Sequence, residues 1–408
     1  MTSDGAVAGS LSARGAGLAE GGLSDYIRVH FERQGDPGYV GLCVAENHQV
    51  RGLLRDRLQQ PLDLPDHVLG YDAMGGKAGL REATADLFAR HVVHRPVDPE
   101  HVKVLSGAGA VLESLAYALG DPGDVVLVPT PSYAGFWPDL QIRPGLQIHP
   151  VHTTAEEGFQ LTPAHLDRTL ADAPGTVRAM LLTNPDNPRG EVVDASAVTA
   201  VLDWADRHQV HVIADEIYAL SVHGGTPFTS VGALRPQLGD RVHIVWAVSK
   251  DFGASGLRCG MLISENQPLL DAIELQGVWG GVSGHTQHLL AAVLGDRDWV
   301  EGYLAAMRAG LAASAAAVRD VLHTTGIPHT AGDAGFFVLA DLRAHLDAPT
   351  WEAEDRLWRN VLDRTGVNLT PGSACRAVEP GFFRICHASN PIQVVEDALR
   401  RVAACLRA

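Results

Sequence analysis

The sequence predicts an α/β protein with a mainly parallel sheet in a large domain and a second, smaller α+β domain. From about residue 100 to residue 250, short apolar runs alternate with longer helical patterns, as in parallel sheets that are buried on both faces. Beyond about residue 285 this alternation gives way to long helices and two further strands. The chain has 408 residues, 46% of them apolar, which is enough for two such domains.

The strands of the first region are predicted from runs of apolar residues bounded by glycine, proline or polar residues. They are 102–105, 124–129, 178–183, 211–215 and 243–248, with helices over 110–119 and 196–208 between them. The second region is predicted to begin with long helices within 288–326, which break near Gly295. A strand (335–342), a helix (351–365), a strand (382–388) and a C-terminal helix (391–408) follow.

Composition excludes several classes of function. The formal net charge of −16 argues against nucleic acid as the main partner, because phosphate backbones attract basic surfaces. No apolar run approaches the roughly 20 residues of a membrane span. The five cysteines contain no CxxC pair, so they are predicted to be reduced thiols in a cytoplasmic protein, and no metal site is predicted.

Lysine is rare, which narrows the search for an amine nucleophile to Lys77, Lys103 and Lys250. Lys250 directly follows a buried apolar strand and enters a Gly-rich turn. Burial would lower its pKa and make it a nucleophile that can form a Schiff base. The alternative is an ordinary solvated loop lysine. Lys77 fits that alternative, and Lys103 fits the edge of a strand.

Two segments could bind a phosphate. Residues 106–111 (SGAGAV) follow a strand and open a helix, so their backbone N–H groups could hold a phosphate at the positive end of that helix. A dinucleotide fingerprint is a weak alternative, because Leu112 stands where the third glycine should be. Arg258, eight residues after Lys250, could bind a phosphate with its guanidinium group, although alone it would be an ordinary surface arginine.

Two more segments end predicted strands. Asp215 closes an apolar run and would face the crevice at the carboxyl edge of a parallel sheet, where it could pair with a protonated ring nitrogen. A helix N-cap is an equally good interpretation of Asp215 alone. Tyr218 could point into the same crevice. Residues 184–190 (NPDNPRG) form an irregular turn whose amides could face the crevice, although most such clusters are only turns.

Together these motifs resemble the fold-type I pyridoxal-phosphate enzymes of the aspartate aminotransferase superfamily. Within it the sequence is most similar to 1-aminocyclopropane-1-carboxylate (ACC) synthases. The similarity spans about residues 40 to 390 and rests on GLCVAEN, DPGDVVLVPTPSYAGF, NPDNPRG, ADEIYA, SKDFGASGLRCG, SGHTQHLLAAVL and TPGSACRAVEPGFFRICHA.

The resemblance implies a role for each matching residue. Lys250 would bind the cofactor through its amine and then move the substrate's α-proton, and Asp215 would pair with the pyridine nitrogen. The remaining cofactor contacts would come from Tyr133 stacked on the ring, Asn187 and Tyr218 at the phenolic oxygen, and Ala108, Gly109, Ser249 and Arg258 at the phosphate. Arg384 would bind the substrate α-carboxylate, and Glu46 could face a sulfonium or an adenosyl group.

The resemblance also implies two domains and a homodimer with shared active sites. We expect a flexible arm over 1–22, a small-domain segment over 23–65, a cofactor-binding large domain over 66–300 and the rest of the small domain over 301–408.

The sequence departs from the family around the phosphate. Tyr71, expected to reach the partner subunit's phosphate, lies in an altered segment (71–80). Gly109 and Ala247 stand where the family carries hydroxyl residues, so the partner could contribute more, with Ser283 and His285 as candidates.

Three functions stay open at this point. The first is chemistry on S-adenosylmethionine: α-deprotonation and loss of methylthioadenosine, followed by ring closure or by bond formation to an electron-poor second substrate such as a pyridinium. The second is transamination of an amino acid, which the same lysine, aspartate and arginine would serve. The third is a non-catalytic module, against which the retained Lys250 argues.

Overall fold

The computed structural model describes residues 10–407, and its strands form one large sheet and two small ones. The strands, numbered along the chain, are β1 Val40–Gly41, β2 Val102–Leu105, β3 Val125–Thr130, β4 Gln147–His152, β5 Val177–Thr183, β6 His211–Asp215, β7 Val242–Ala247, β8 Gly260–Ser264, β9 Phe337–Asp341, β10 Val367–Asn368, β11 Thr370–Pro371 and β12 Phe382–Cys386.

Helices cover the large sheet and build most of the C-terminal region. They are α1 Ala13–Gly21, α2 Asp25–Arg33, α3 Arg51–Leu58, α4 Ala78–His91, α5 Ala108–Leu119, α6 Phe136–Gln141, α7 Pro163–Ala171, α8 Ala195–His208, α9 Val231–Leu234, α10 Val248–Asp251, α11 Gln267–Gly280, α12 Gly284–Leu294, α13 Arg297–Thr325, α14 Trp351–Thr365 and α15 Ile392–Leu406.

The large sheet has seven strands in the order β2-β8-β7-β6-β5-β3-β4. The pairs from β7 to β4 are parallel, whereas β8 runs antiparallel to both of its neighbours, β2 and β7. The predicted α/β class with a mainly parallel sheet is therefore confirmed. The predicted strand over 102–105 is present, but it pairs antiparallel with β8.

Two strands of this sheet were not predicted. β4 carries a proline and two histidines, and it lies at the edge of the sheet, where a proline removes no ladder hydrogen bond. β8 is fully buried, but it begins at Gly260 directly after the Gly-rich turn. Its short apolar run was therefore assigned to that turn and not to a strand. The predicted helical break near Gly295 is confirmed, because α12 ends at Leu294 and α13 begins at Arg297.

The C-terminal region has its own apolar cluster. It forms around the antiparallel sheet β11-β12-β9 and the helices α13, α14 and α15. Val40 and Leu42 from the N-terminal segment pack in that cluster, and β1 pairs parallel with β10. These contacts join residues near 40 to the C-terminal region, whereas Val50 and Leu54 pack in the apolar cluster of the large sheet. The predicted domain boundaries stay a prediction.

The ends of the chain add two observations. Residues 1–9 of the predicted arm lie outside the described residues, and the remainder of the arm contains α1. No helix within residues 10–407 is long and apolar enough to cross a membrane.

One edge of the large sheet gathers the predicted site. β5, β6 and β7 are parallel, so their carboxyl ends meet at the same edge. Asp215 ends β6, the turn 184–190 follows β5, and Lys250 lies on α10 directly after β7. In an open parallel sheet this edge is where ligands bind.

Candidate active site

Lys250 directs its amine into a cavity at the carboxyl edge of the sheet. Its Nζ atom donates a hydrogen bond of 2.8 Å to the backbone carbonyl of Ala45. Burial, reinforced by the positive charge of Arg384, lowers the pKa of Lys250 to about 8. Roughly a fifth of the amine is therefore neutral near physiological pH, far more than for an ordinary lysine, and the neutral form is the one that acts as a nucleophile or a general base.

Asp251, the neighbour of Lys250, fixes the short helix α10. Its buried carboxylate accepts hydrogen bonds from Trp246 Nε1 at 2.7 Å, from the backbone N–H of Leu220 at 3.1 Å and from the hydroxyl of Ser221. These bonds tie α10 to the strand before it and to the loop that follows β6. Asp251 was not predicted as a functional residue, although it directly follows Lys250 in the sequence.

Asp215 is buried, with 5% of its surface exposed. Its Oδ1 accepts a hydrogen bond of 3.3 Å from the backbone N–H of Ile217, which is also the contact expected of an N-cap. Burial raises the pKa of Asp215 to about 7, against the weaker opposing effects of that hydrogen bond and of Lys250. A cationic ring nitrogen placed against this carboxylate would restore its negative charge.

Tyr218 lies in the buried wall of the same site. Its ring packs edge-on against Phe336 and Phe337, with centroids 5.3 Å and 5.6 Å away. Gly335 has a positive φ of 61°, and a Cβ there would lie 3.4 Å from the Tyr218 ring. Side chains of the C-terminal region therefore fix the position of Tyr218, which lies in the segment after β6.

A backbone cradle forms where β2 turns into α5. Gly107 has a φ of 97°, and a Cβ there would lie 2.6 Å from Nη2 of Arg258. Arg258 is anchored over the turn by hydrogen bonds to the carbonyls of Ser255 at 3.2 Å and Ser106 at 3.5 Å. The first N–H groups of α5, those of Ala108 and Gly109, point out of the helix start. This arrangement suits one phosphate group.

Arg384 is the most unusual charge in the site. It is buried, with 4% of its surface exposed, and no carboxylate among residues 10–407 forms an ion pair with it. Its guanidinium lies 4.6 Å over the Phe337 ring and its buried Nε lacks a partner. A buried guanidinium without an anion is costly, so this position requires an anionic ligand.

Neutral oxygens orient that guanidinium. Nη1 donates to the amide oxygen of Asn187 at 2.9 Å, and Nη2 donates to the carbonyl of Cys43 at 2.6 Å and to the hydroxyl of Thr370 at 3.2 Å. Asn187 thus uses its oxygen for Arg384, which leaves its NH₂ group for another acceptor. Thr370 and the Cys43 carbonyl were not predicted, because no local sequence pattern indicates that they face Arg384.

Tyr133 stands at the mouth of the cavity and is 40% exposed. Its ring packs edge-on against Phe136, with centroids 5.3 Å apart. Gly135 permits this position, because a Cβ there would lie 2.3 Å from the Tyr133 ring. The cavity that Tyr133 shares with Lys250 and Arg384 has a volume of about 1040 Å³ and opens to solvent.

Ser249 and Glu46 complete the residues expected on this face. Ser249 is buried on α10. Both oxygens of Glu46 are already engaged: Oε2 by His48 at 2.7 Å and Arg51 at 3.0 Å, and Oε1 by Ser255 at 2.9 Å. The bond from His48, with those from Ser255 and the charge of Arg51, lowers the pKa of Glu46 to about 2 against the effect of burial.

Residues expected to act on a partner subunit lie apart from this cavity. Tyr71 is fully exposed, and its segment does not line the Lys250 cavity within the described chain. Ser283 caps α12 by accepting a hydrogen bond of 3.2 Å from the N–H of Thr286, and His285 is exposed on the same helix. One chain alone therefore brings together the predicted site except Tyr71, Ser283 and His285.

Solved aminotransferase structures share this fold. The aspartate aminotransferase from Thermus thermophilus aligns with a TM-score of 0.81 over 97% of this chain and 99% of that chain, at 23% identity. The aromatic aminotransferase from Pyrococcus horikoshii aligns with a TM-score of 0.79 over 93% and 98%, at 21% identity. The architecture is that of the aspartate aminotransferase-like α/β proteins.

Sequence relatives then identify the family. The model described as aminotransferase class I and II matches residues 41–402, and the chain belongs to that family. It is 35% identical to 1-aminocyclopropane-1-carboxylate synthase 4 of Oryza sativa over 94% of this chain and 85% of the relative. It is 32% identical to 1-aminocyclopropane-1-carboxylate synthase 2 of Cucurbita pepo over 93% and 81%.

The cofactor of this family is pyridoxal phosphate, and the residues present fit it. Asp215 is a buried carboxylate with no ion pair to a cation among residues 10–407. Lys250 supplies an amine, and the turn before α5 supplies a cradle that Cβ atoms would fill. A Cβ on Gly260 would lie 2.5 Å from the backbone of Gly107, so the cradle keeps its shape only with glycine there.

Proposed function

We propose that the protein removes the α-proton of S-adenosylmethionine and releases methylthioadenosine from its γ-carbon. The proposal continues in one of two ways: ring closure, as in ACC synthases, or carbon–carbon bond formation with an electron-poor second substrate such as a pyridinium, in the biosynthesis of a natural product. In either case the enzyme is a pyridoxal-phosphate-dependent lyase or transferase.

The observation that carries the proposal is the buried, unpaired guanidinium of Arg384 in the cavity of Lys250. An α-carboxylate on Arg384 neutralises this charge and fixes the substrate's α-carbon near the lysine. The relatives named ACC synthases, together with the resemblance of the sequence motifs to that family, favour S-adenosylmethionine as the amino acid.

Each residue then has a defined task. Bound pyridoxal phosphate supplies an electron sink that stabilises the charge left on the α-carbon. Lys250 takes the α-proton on its Nζ atom, which its lowered pKa makes available as a base. Asp215 would hold a proton on the ring nitrogen of that cofactor, and Asn187 and Tyr218 would hydrogen-bond its phenolic oxygen.

The bonds balance without another reactant when the ring closes. The α C–H bond breaks and its proton goes to Lys250. The γ C–S bond breaks and its electron pair stays on sulfur, so neutral methylthioadenosine leaves. The new bond joins the α-carbon to the γ-carbon. With a second substrate, a β C–H bond breaks as well: its proton goes to solvent and its electron pair forms a double bond between the β- and γ-carbons as methylthioadenosine leaves. The electron pair of the α C–H bond then forms the new bond to an electron-poor carbon of the second substrate. A cavity of about 1040 Å³ leaves room for that molecule.

Glu46 has a narrower role in this proposal than the sequence suggested. A carboxylate that pairs with Arg51 and His48 attracts a sulfonium less strongly than a free one. We infer that Glu46 first holds the loop of Ala45 and Ser255 beside Lys250, and that any attraction for the substrate's sulfonium comes second.

The active unit in this proposal is a homodimer. A set of large apolar side chains is exposed near the phosphate turn, where a second subunit could cover them: Leu69 (72% exposed), Tyr71 (101%), Leu275 (67%), Val278 (54%) and Trp279 (76%). Exposed apolar patches of this kind mark interaction sites. Tyr71 would then reach the phosphate of the partner subunit.

Transamination is the second candidate, which the family model named for aminotransferases favours. The test is to incubate purified holoenzyme with S-adenosylmethionine alone and to look for methylthioadenosine by mass spectrometry. Release supports the proposal, and the co-product separates ring closure from a reaction that awaits a second substrate. Conversion of the cofactor to its amine form by common amino acids, with no methylthioadenosine, would support the aminotransferase instead.

A further inference from the structure

An arginine and a tryptophan form a stacked pair at the outer end of the Lys250 cavity. The guanidinium carbon of Arg376 lies 5.0 Å over the ring of Trp137, within the range of a cation–π interaction. Both residues line the cavity that also contains Lys250 and Arg384. None of the roles proposed above uses this pair.

The charges around the pair leave it attractive to anions. Arg376 has no acidic partner in an ion pair within residues 10–407, and neither has Arg14 of α1, which lines the same cavity. The acidic residues of this wall are already paired: Asp25 with Arg28 and Arg359, and Asp355 with Arg359. The outer cavity is therefore cationic in a chain whose net charge is −16.

The backbone at Arg376 is strained, which indicates that its position matters. Its φ is +56°, in the left-handed region that a side chain with a Cβ rarely adopts. The N–H of Arg376 donates to the Ser373 carbonyl at 3.1 Å, and the next N–H, from Ala377, donates to the Gly372 carbonyl at 3.1 Å. The turn thus holds an arginine where glycine would fit without strain.

We propose that Arg376, stacked on Trp137 and assisted by Arg14, forms a subsite for a distal anionic group, a carboxylate or a phosphate, on the substrate or co-substrate. Arg384 binds the inner α-carboxylate and Arg376 binds the outer anion. Trp137 keeps the guanidinium of Arg376 flat and leaves its N–H groups at the edge free to donate to two oxygens. The subsite rests on the proposed function only in that both use the Lys250 cavity.

Dead-end ligands test the subsite without turnover. The probes are straight-chain α,ω-dicarboxylates of increasing length, ω-phosphono carboxylates, and monocarboxylates of matching length, titrated into holoenzyme and followed through the cofactor's absorption spectrum. We expect at least one length of dicarboxylate or phosphonate to bind about tenfold more tightly than its monocarboxylate, which corresponds to one charge-assisted hydrogen-bonded pair. The arm that shows the preference identifies the anion as carboxylate or phosphate.

Substitutions test whether the arginines of the subsite cause the preference for ligands with a second anionic group. Arg376→Gln should remove it and leave monocarboxylate affinity unchanged, and Arg14→Gln should reduce it. Arg207→Gln, on the exposed side of α8, should leave it intact. Arg376→Gly should remove the preference and raise the thermal unfolding midpoint, because it relieves the positive φ. A preference that survives in Arg376→Gln, or wild-type protein that shows none at any length, would overturn the subsite.

Failure here is distinguishable from failure of the proposed function. S-adenosylmethionine carries no anion beyond its α-carboxylate, so methylthioadenosine release by the wild-type holoenzyme is measured independently of the dicarboxylate preference. Absence of that release with an intact dicarboxylate preference would count against the reaction, and the reverse result would count against the subsite.

Discussion

The guanidinium of Arg384 donates a hydrogen bond of 2.9 Å to the amide oxygen of Asn187, 197 residues earlier in the chain. Arg384 belongs to β12 of the small antiparallel sheet, whereas Asn187 lies in the turn after β5 of the large sheet. The bond therefore joins the two parts of the protein at the point where a carboxylate should bind. Because this bond engages the amide oxygen of Asn187, the NH₂ group of Asn187 is left for the cofactor.

Asn187→Ala tests this junction. The variant leaves Nη1 of buried Arg384 without its acceptor and removes the NH₂ group from the cofactor, so KM for the amino acid should rise about tenfold to a hundredfold. Steady-state kinetics measure the effect. Asn360→Ala, at an exposed position on α14, should leave KM within about twofold. Equal effects of the two variants would contradict the assignment.

Asp251 should position Lys250 and not act in the chemistry. Asp251→Ala leaves three donors, on Leu220, Ser221 and Trp246, without their acceptor, so the free energy of unfolding should fall by about 3–5 kcal/mol. Asp251→Asn retains one oxygen and should lose less. Denaturant unfolding gives both values, and the pH dependence of kcat should keep its shape in the Asn variant. A changed pH profile in that variant would give Asp251 a direct role.

Asp215 should make the cofactor-free protein less stable at high pH. Its pKa is raised to about 7 in the folded state, above the ordinary value of 3.8. The folded state thus holds a proton that the unfolded state has lost, so stability falls as pH rises from about 4 to about 7.

Asp215→Asn removes this dependence. The apo variant should be more stable than the wild type at pH 8, by on the order of 1–3 kcal/mol, and similar to it at low pH. Its activity should fall sharply, because an amide does not hold the ring nitrogen protonated. Thermal melts of both apo proteins across this range provide the measurement. A wild type that is the more stable of the two at pH 8 would refute the argument.

His387 should make the protein sensitive to acid. It is fully buried, its Nδ1 lies 3.2 Å from the hydroxyl of Ser314, and its Nε2 has no hydrogen-bond partner in the described part of the chain. Burial, with the neighbouring His223, lowers the pKa of His387 well below its usual value of 6.5. The unfolded chain binds a proton that the folded state excludes, so stability is complete above about pH 6.5 and is lost as pH falls below it.

The slope of this loss should be about 1.4 kcal/mol per pH unit for one proton. His387→Leu should flatten the curve by about that amount, whereas His285→Leu, at an exposed position on α12, should not change it. The free energy of unfolding of each protein, measured by thermal or denaturant unfolding between pH 7 and 5, gives these slopes. Identical slopes for wild type and His387→Leu would show that other groups carry the acid dependence.

The sequence predicted the parts of the site that are strand ends and turns. Asp215, Lys250 and the turn 184–190 are close in space because parallel strands bring their carboxyl ends to one edge, and this rule needs only the strand pattern. The strand of Arg384 was also predicted, and the resemblance supplied its role.

Other parts depend on tertiary contacts that no local pattern encodes. The carbonyls of Cys43 and Ala45 reach Arg384 and Lys250 from segments more than 200 residues away. The pairing of Glu46 with Arg51 and His48 was equally hidden. The cation–π pair of Trp137 and Arg376 joins helix α6 to a turn after β11, so neither residue stood out in the sequence.

The central claim is that Lys250 removes the α-proton of S-adenosylmethionine. The most direct measurement is exchange of that proton for deuterium in D₂O, followed by mass spectrometry of the remaining substrate and of the methylthioadenosine released. The wild-type holoenzyme should exchange the proton and release methylthioadenosine, whereas Lys250→Ala should do both about 10²–10⁴-fold more slowly. Exchange that persists at the wild-type rate in Lys250→Ala, or a wild-type enzyme that neither exchanges the proton nor releases methylthioadenosine, would contradict the account.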